Sequence, residues 1–169
     1  MPEQETLGRV KKDKQQGKAP TTQAGEFIRE EMEHIREGKH GARSTKQAIA
    51  IGLSKARKAG VKLPPPKKGQ ASERTRQSAA RAYEEGQSGH HHKTNARRSR
   101  ATMGALKREG HSAASKSALA RQANDQSHQR TAAERSKIGK KAARTRMAHQ
   151  SHAQRSRIAR KAARTRAGR

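Results

Sequence analysis

There is no cysteine and no tryptophan among the 169 residues, only one phenylalanine and one tyrosine, and only fourteen acidic side chains. Each shortage excludes something. Without cysteine there is no disulfide framework, no thiolate metal site and no thiol chemistry, and nothing demands an oxidising compartment. With 28% hydrophobic residues and so few aromatics, a large core is ruled out. No run approaches the roughly 18 apolar residues of a membrane span, and residues 1–18 lack the apolar stretch of a secretory signal, so the expected setting is cytoplasmic. His-Glu-x-x-His, Gly-x-Ser-x-Gly and glycine-rich phosphate loops are all missing, and no carboxylate pair stands among histidine, serine or lysine in a recognisable pocket. The expectation is therefore a non-enzymatic protein with no cofactor and no small-molecule substrate. His90, His91 and His92 are consecutive, which sends their rings in different directions and holds a metal only loosely, so they read as a solvated loop and no metal site is assigned.

What is present in excess is positive charge. Forty-one lysines and arginines give a net +27, and such a chain repels itself unless a polyanion neutralises it. DNA and RNA are the natural partners. An anionic membrane is disfavoured, because a helix lying on lipid needs a broad apolar face with Trp, Phe or Leu.

Large apolar residues at helical spacing occur with clean stop signals only between Thr21 and Leu63. Phe27, Ile28, Met32 and Ile35 share one face with Ala24 at 100° per residue, after a start at Pro20 with Thr21 and Thr22 as N-cap oxygens and before a stop at Gly38. A second helix opens on the capping box Ser44-Thr45-Lys46-Gln47 and buries Ala48, Ile49, Gly52, Leu53, Ala56 and Ala59. It ends at Gly60, with Val61 set for the apolar contact of a C-terminal cap, before Leu63 and the prolines 64–66. The expected fold class is mainly α: a small helical hairpin over 21–63, flanked by disordered or conditionally helical basic segments. So few large side chains are a marginal core for some forty ordered residues. Ile51, off the apolar stripe, offers a contact for self-association through the hairpin. Glu26, Glu30, Glu33 and Glu37 form an acidic stripe on the side away from Phe27, Ile28, Met32 and Ile35, which reads either as an acidic face kept for solubility or as a face for the protein's own basic tail or a neighbour's.

The run Gly25-Glu-Phe-Ile-Arg-Glu-Glu-Met32, with Gly38-Lys-His-Gly41 and Ser44-Thr-Lys-Gln-Ala-Ile-Ala-Ile-Gly-Leu53 continuing to Gly60, resembles a family of small, basic, uncharacterised bacterial proteins. The resemblance implies a bacterial cytosolic setting and brings no activity with it. The C-terminal region resembles the lysine- and arginine-rich tails of linker-histone-like proteins.

Around the hairpin, residues 1–20 read as a flexible arm and 64–96 as a linker with a short helix near Ala71–Glu85 that has only Tyr83 to bury. Residues 97–169 read as a basic repeat tail. Within the tail, Thr131–Arg146 and Ser151–Arg166 align at an offset of twenty, each opening with its own capping box. After Glu134 no acid remains, while thirteen lysines and arginines follow. On helices, Lys137, Lys140, Lys141 and Arg144 make one positive stripe, and Arg157, Arg160, Lys161 and Arg164 another, with Ile138 and Ile158 nearly alone opposite them. Such segments have little to pack against and are expected to be partly disordered until a phosphate backbone supplies the counter-charge.

The expected function is sequence-tolerant, nucleoid-associated DNA binding by phosphate neutralisation. The residues expected to carry it are Arg135, Lys137, Lys140, Lys141, Arg144, Arg146, Arg155, Arg157, Arg160, Lys161, Arg164 and Arg166, supported by Lys46, Arg57 and Lys58 on the outer face of the second hairpin helix. RNA binding is an alternative within the same class, since phosphate contacts do not read the sugar. A different class is a protein-interaction hairpin for which the tail is only an anchor.

Overall fold

Pro20 occupies the first turn of the most apolar helix, where its missing N–H costs nothing, and the residue before it, Ala19, contributes no side-chain cap. The helix start is thus set by proline itself and not by Thr21 or Thr22. The computed structural model describes residues 2–89 and 95–167, so His90, His91 and His92 lie outside the described residues. These contain eight α-helices, one 3-10 turn and no β-strand: α1 (Gln4–Gln15), α2 (Pro20–Arg36), α3 (Thr45–Lys58), α4 (Glu73–Ser88), α5 (Ala96–Lys107), the turn Ser112–Ala114, α6 (Lys116–His128), α7 (Ala132–His149) and α8 (His152–Ala167). The chain divides into two units, Met1–Gln122 and Ala123–Arg169.

In the first unit α2 and α3 form the expected hairpin. Both helices close by the same device. Gly38 (φ +75°) donates to Ile35 O while Lys39 N–H reaches back to His34 O; Gly60 (φ +82°) donates to Arg57 O while Val61 N–H reaches Ala56 O. These are paired Schellman bonds, and the left-handed position favours glycine in each. Ser44 Oγ accepts the Gln47 N–H, but the Gln47 side chain accepts from Arg43 N–H, so only half of the expected box closes. Gly52 lets the two helices cross closely: a Cβ there would lie 2.8 Å from Ile28 Cα.

The hairpin does not stand alone. Phe27, Ala24, Ala56, Val61 and Leu63 make one cluster that Leu7 and Val10 of α1 pack against; Met32, Ile35, Ala42, Ala48, Ala113 and Ala114 make another, with Leu119 of α6 beside it. Residues 1–20 are therefore not a free arm, because Leu7 and Val10 stand three apart on one face of α1 and meet Phe27's cluster. Likewise α4 is more than a linker helix. Ala79 and Ala82 are its buried residues, while Tyr83 is half-buried. A Cβ at Gly86 would sit 1.9 Å from Arg57 O, so this glycine allows α4 to lie against the end of α3.

The segment 106–114, expected as tail, closes the far end of the hairpin. Gly41 N–H donates to Leu106 O, Ala42 N–H to Gly110 O, Thr45 Oγ1 to Ala113 O and Arg36 Nε to Ala114 O. The apolar area that the hairpin lacks by itself comes from α1, α4 and this segment. Of the residues assigned to the second helix's inner face, Ala48, Gly52 and Ala56 are buried, Ile49 and Leu53 half-buried, and Ala59 exposed.

Candidate nucleic-acid interface

The two C-terminal repeats are helices, where partial disorder was expected. Thr131 Oγ1 accepts the Glu134 N–H, and the Glu134 carboxylate accepts the Thr131 N–H, closing a full capping box at the start of α7. That bond from the Thr131 backbone, followed by its hydroxyl, holds the Glu134 carboxyl below its ordinary range. Ser151 and Gln154 exchange the same two bonds ahead of α8. Thr145 and Thr165, twenty residues apart like the repeats, donate their hydroxyls to Lys141 O and Lys161 O.

Residues 131–148 are all exposed, and so are 151–167 apart from half-buried Ser156. Ile138 and Ile158 remain 48% and 53% exposed, too open to anchor a core. An 18-residue helix is about 27 Å long, so Lys137, Lys140, Lys141 and Arg144 occupy one face over roughly two turns of α7. Arg157, Arg160, Lys161 and Arg164 repeat this on α8. None of these eight has an ion-pair partner among the described residues, nor have Arg146, Arg155 and Arg166. Arg135 differs. Its guanidinium donates to Ser127 O and Arg130 O, tying the end of α6 to the start of α7.

The three hairpin residues assigned to the same surface do not act alike. Lys46 is exposed at the start of α3. Lys58 is half-exposed and lies 3.2 Å from Glu85. Arg57 is a correction: it is 7% exposed, and it donates to Leu63 O and Pro64 O, while burial lowers its pKa. It fastens the chain after α3 and presents nothing to a polyanion.

The acidic stripe of α2 is a second correction. Glu26 is held 2.7 Å from Arg9 of α1, Glu33 2.9 Å from Arg29 of its own helix, and Glu37 3.0 Å from Lys39. Glu30 is only 1% exposed; it accepts the Glu3 N–H at 3.1 Å and lies 3.3 Å from Lys55 Nζ. Burial alone would raise its pKa, but the Glu3 N–H, the Thr6 hydroxyl and Lys55 together bring it below the usual value. Glu26 and Glu30 are thus taken up by the N-terminal segment, and Glu33 and Glu37 by cations nearby in the chain.

Next to Glu30 the structure gathers groups that nothing in the sequence pattern had connected. One donor atom each of Glu31, His34 and His40 lie within 4.8 Å of one another. Glu31 is 1% and His40 6% exposed. The available signal was local: at 100° per residue Glu31 falls inside the apolar arc, between Phe27 and Ile35, where a carboxylate is out of place unless it has a partner.

Against known proteins, one stretch is similar. Residues 14–68 match a family of unknown function, DUF6496. The match runs from the end of α1 through the hairpin to the basic residues after the prolines, and it leaves the C-terminal helices outside. No curated protein and no solved structure matches the chain. No helix among the described residues is long and apolar enough to cross a membrane.

Proposed function

We propose that the chain binds nucleic acid, with DNA as the preferred partner, by neutralising phosphates along α7 and α8. The observation that supports it most is the pair of capped, exposed helices whose basic stripes form no ion pair among the described residues. Residues 123–169 hold fourteen lysines and arginines but only Asp125 and Glu134 as acids. A helix about 10–12 Å across fits a major groove about 12 Å wide, and side chains from one face reach the phosphates on either side. Such contacts position a protein without reading bases, which makes the binding sequence-tolerant and suits a nucleoid-associated role. The scarcity of aromatics, one Phe and one Tyr, leaves no stacking platform for single strands.

The test is the salt dependence of duplex binding. With about six phosphate contacts, log K falls against log salt with a slope of about −5, and a chain truncated after Asp125 binds far more weakly. Undiminished affinity after that truncation overturns the assignment. Competition between duplex DNA and duplex RNA of matched length decides between the two nucleic acids.

A further inference from the structure

The cluster at the end of α2 carries a different chemistry. Glu31 and His34 stand three residues apart on one helix, and Gly38 turns the chain so that His40 folds back beside them. The two imidazoles meet edge to face, their centroids 6.0 Å apart. His40 is held in place by the bonds from Gly41 to Leu106 O and from Ala42 to Gly110 O. Gly41 has no room for a Cβ, which would lie 1.9 Å from Glu109 O.

The hydrogen bonds around the cluster leave lone pairs, not protons, available to it. His40 Nδ1 lies 3.0 Å from Gly41 O, so it carries the proton and donates. In a neutral ring Nε2 then presents a lone pair, and this atom is 3.2 Å from Glu31 Oε1, another lone-pair bearer. His34 Nε2 lies 2.8 Å from Glu3 Oε1 and donates to it, which leaves Nδ1 as its open nitrogen. Both Glu31 oxygens are buried without a hydrogen-bond partner. Lys55 Nζ does approach Oε2 to 2.7 Å, but it is shared with Glu30, and neither that approach nor the one from His40 has hydrogen-bond geometry. Two buried carboxylates facing one ammonium leave a negative charge to be balanced.

We propose that Glu31, His34 and His40 bind a divalent transition-metal ion of the zinc class. Two imidazole nitrogens and one carboxylate oxygen are a donor set that zinc accepts with a further position left open. Bonds of about 2.0–2.1 Å place tetrahedral ligands about 3.3 Å apart, close to the separation already present between His40 Nε2 and Glu31 Oε1. Each histidine donates its other N–H to a carboxylate or a backbone carbonyl, the arrangement that fixes tautomer and ring direction at metal sites. Lys55 Nζ stands 2.7 Å from the second Glu31 oxygen, so the carboxylate binds the ion through its other atom. The ion ties α2 to the turn before α3 and, through Gly41 and Ala42, to the 106–114 segment.

The test is titration of the chelator-treated full-length chain with Co²⁺, followed by Zn²⁺ as competitor. Expected is saturable binding of one ion per chain at this site, with the visible absorption bands of a low-coordinate Co²⁺ site, displaced by Zn²⁺. Glu31→Gln and His40→Gln each weaken this binding by about tenfold or more, and so does Glu3→Ala, which removes the carboxylate that His34 shares with Lys39. Joint replacement of His90, His91 and His92 by Asn leaves it unchanged. Should a variant fail to fold, imidazole ¹⁵N shifts of the wild-type chain report directly: Zn²⁺ moves His34 Nδ1 and His40 Nε2. The proposal is overturned if no saturable binding occurs, if binding survives both Glu31→Gln and His40→Gln, or if only the triple Asn variant abolishes it. Any of these leaves Glu31, His34 and His40 without a metal-binding role.

Discussion

Residues 1–122 and 123–169 differ in how many carboxylates stand among their lysines and arginines. In the first stretch twelve acids are available, and ten of them are paired: Glu5 and Glu26 with Arg9, Asp13 with Lys18, Glu30 and Glu31 with Lys55, Glu3 and Glu37 with Lys39, Glu33 with Arg29, Glu73 with Arg76 and Glu85 with Lys58. There the charges brace helices that also bury apolar side chains. In the second stretch the same residue types recur on helices with almost no acid and almost no burial. The contrast teaches that helical repeat and charge alone do not distinguish a cation paired within the fold from an unpaired one. What distinguishes them is whether a carboxylate or a carbonyl is already in reach.

The largest effect that would test this division is Phe27→Ala. Phe27 is fully buried between α1 and α3, and its loss costs about 3–5 kcal/mol, enough to melt a unit with so small a core. Thermal circular dichroism should lose the transition of the first unit, while the salt slope of DNA binding stays as in the wild type. A parallel loss of affinity would break the comparison.

The same substitution should have opposite signs in the two stretches. Gly86→Ala forces a Cβ against Arg57 O and destabilises by roughly 1–3 kcal/mol, whereas Gly139→Ala on α7 meets nothing within 4 Å and stabilises the helix by about 0.5–1 kcal/mol. Denaturant melts of the two variants check both signs. Replacing Arg144 and Arg164 together with Gln lowers the steepness of the salt dependence by about 1 for each phosphate no longer neutralised, and leaves the melting of the first unit unchanged.

The smallest effect concerns pH. The hydrogen bonds from Thr131 depress the Glu134 carboxyl in the folded helix, so its contribution is present above the unfolded carboxylate value and disappears as pH falls through the folded one. NMR should show Thr131 and Glu134 amide signals moving together as the solution is acidified below the ordinary carboxylate range. In Glu134→Gln that movement is absent, and if it persists there the capping carboxylate is not its source.

Several helix ends were readable residue by residue. Gly38, Gly60 with Val61, Ser44, Thr131 with Glu134 and Ser151 with Gln154 all act as their local chemistry requires, since a cap depends on atoms within about four residues. The positive stripes of α7 and α8 were readable for the same reason. Features that depend on distant segments were not. Arg57 shares the outer-looking stretch with Lys58, yet the chain beyond Gly60 folds back over it and offers two carbonyls. Glu30 sits opposite the apolar arc, yet α1 brings Thr6 and the Glu3 N–H onto it.

The sequence by itself determined a mainly α chain, the caps that close several of its helices, and a C-terminal stretch with few acids among its cations, because all of these follow from composition and from neighbours along the chain. Only the tertiary structure decided which polar groups left solvent. Leu7 and Val10 of α1, Ala79 and Ala82 of α4, and the carbonyls of 106–114 come from distant sequence, and their packing on one hairpin brings Glu31, His34 and His40 together and turns Arg57 inward. Burial is a property of what lies on the other side of a helix. No periodicity within that helix specifies it.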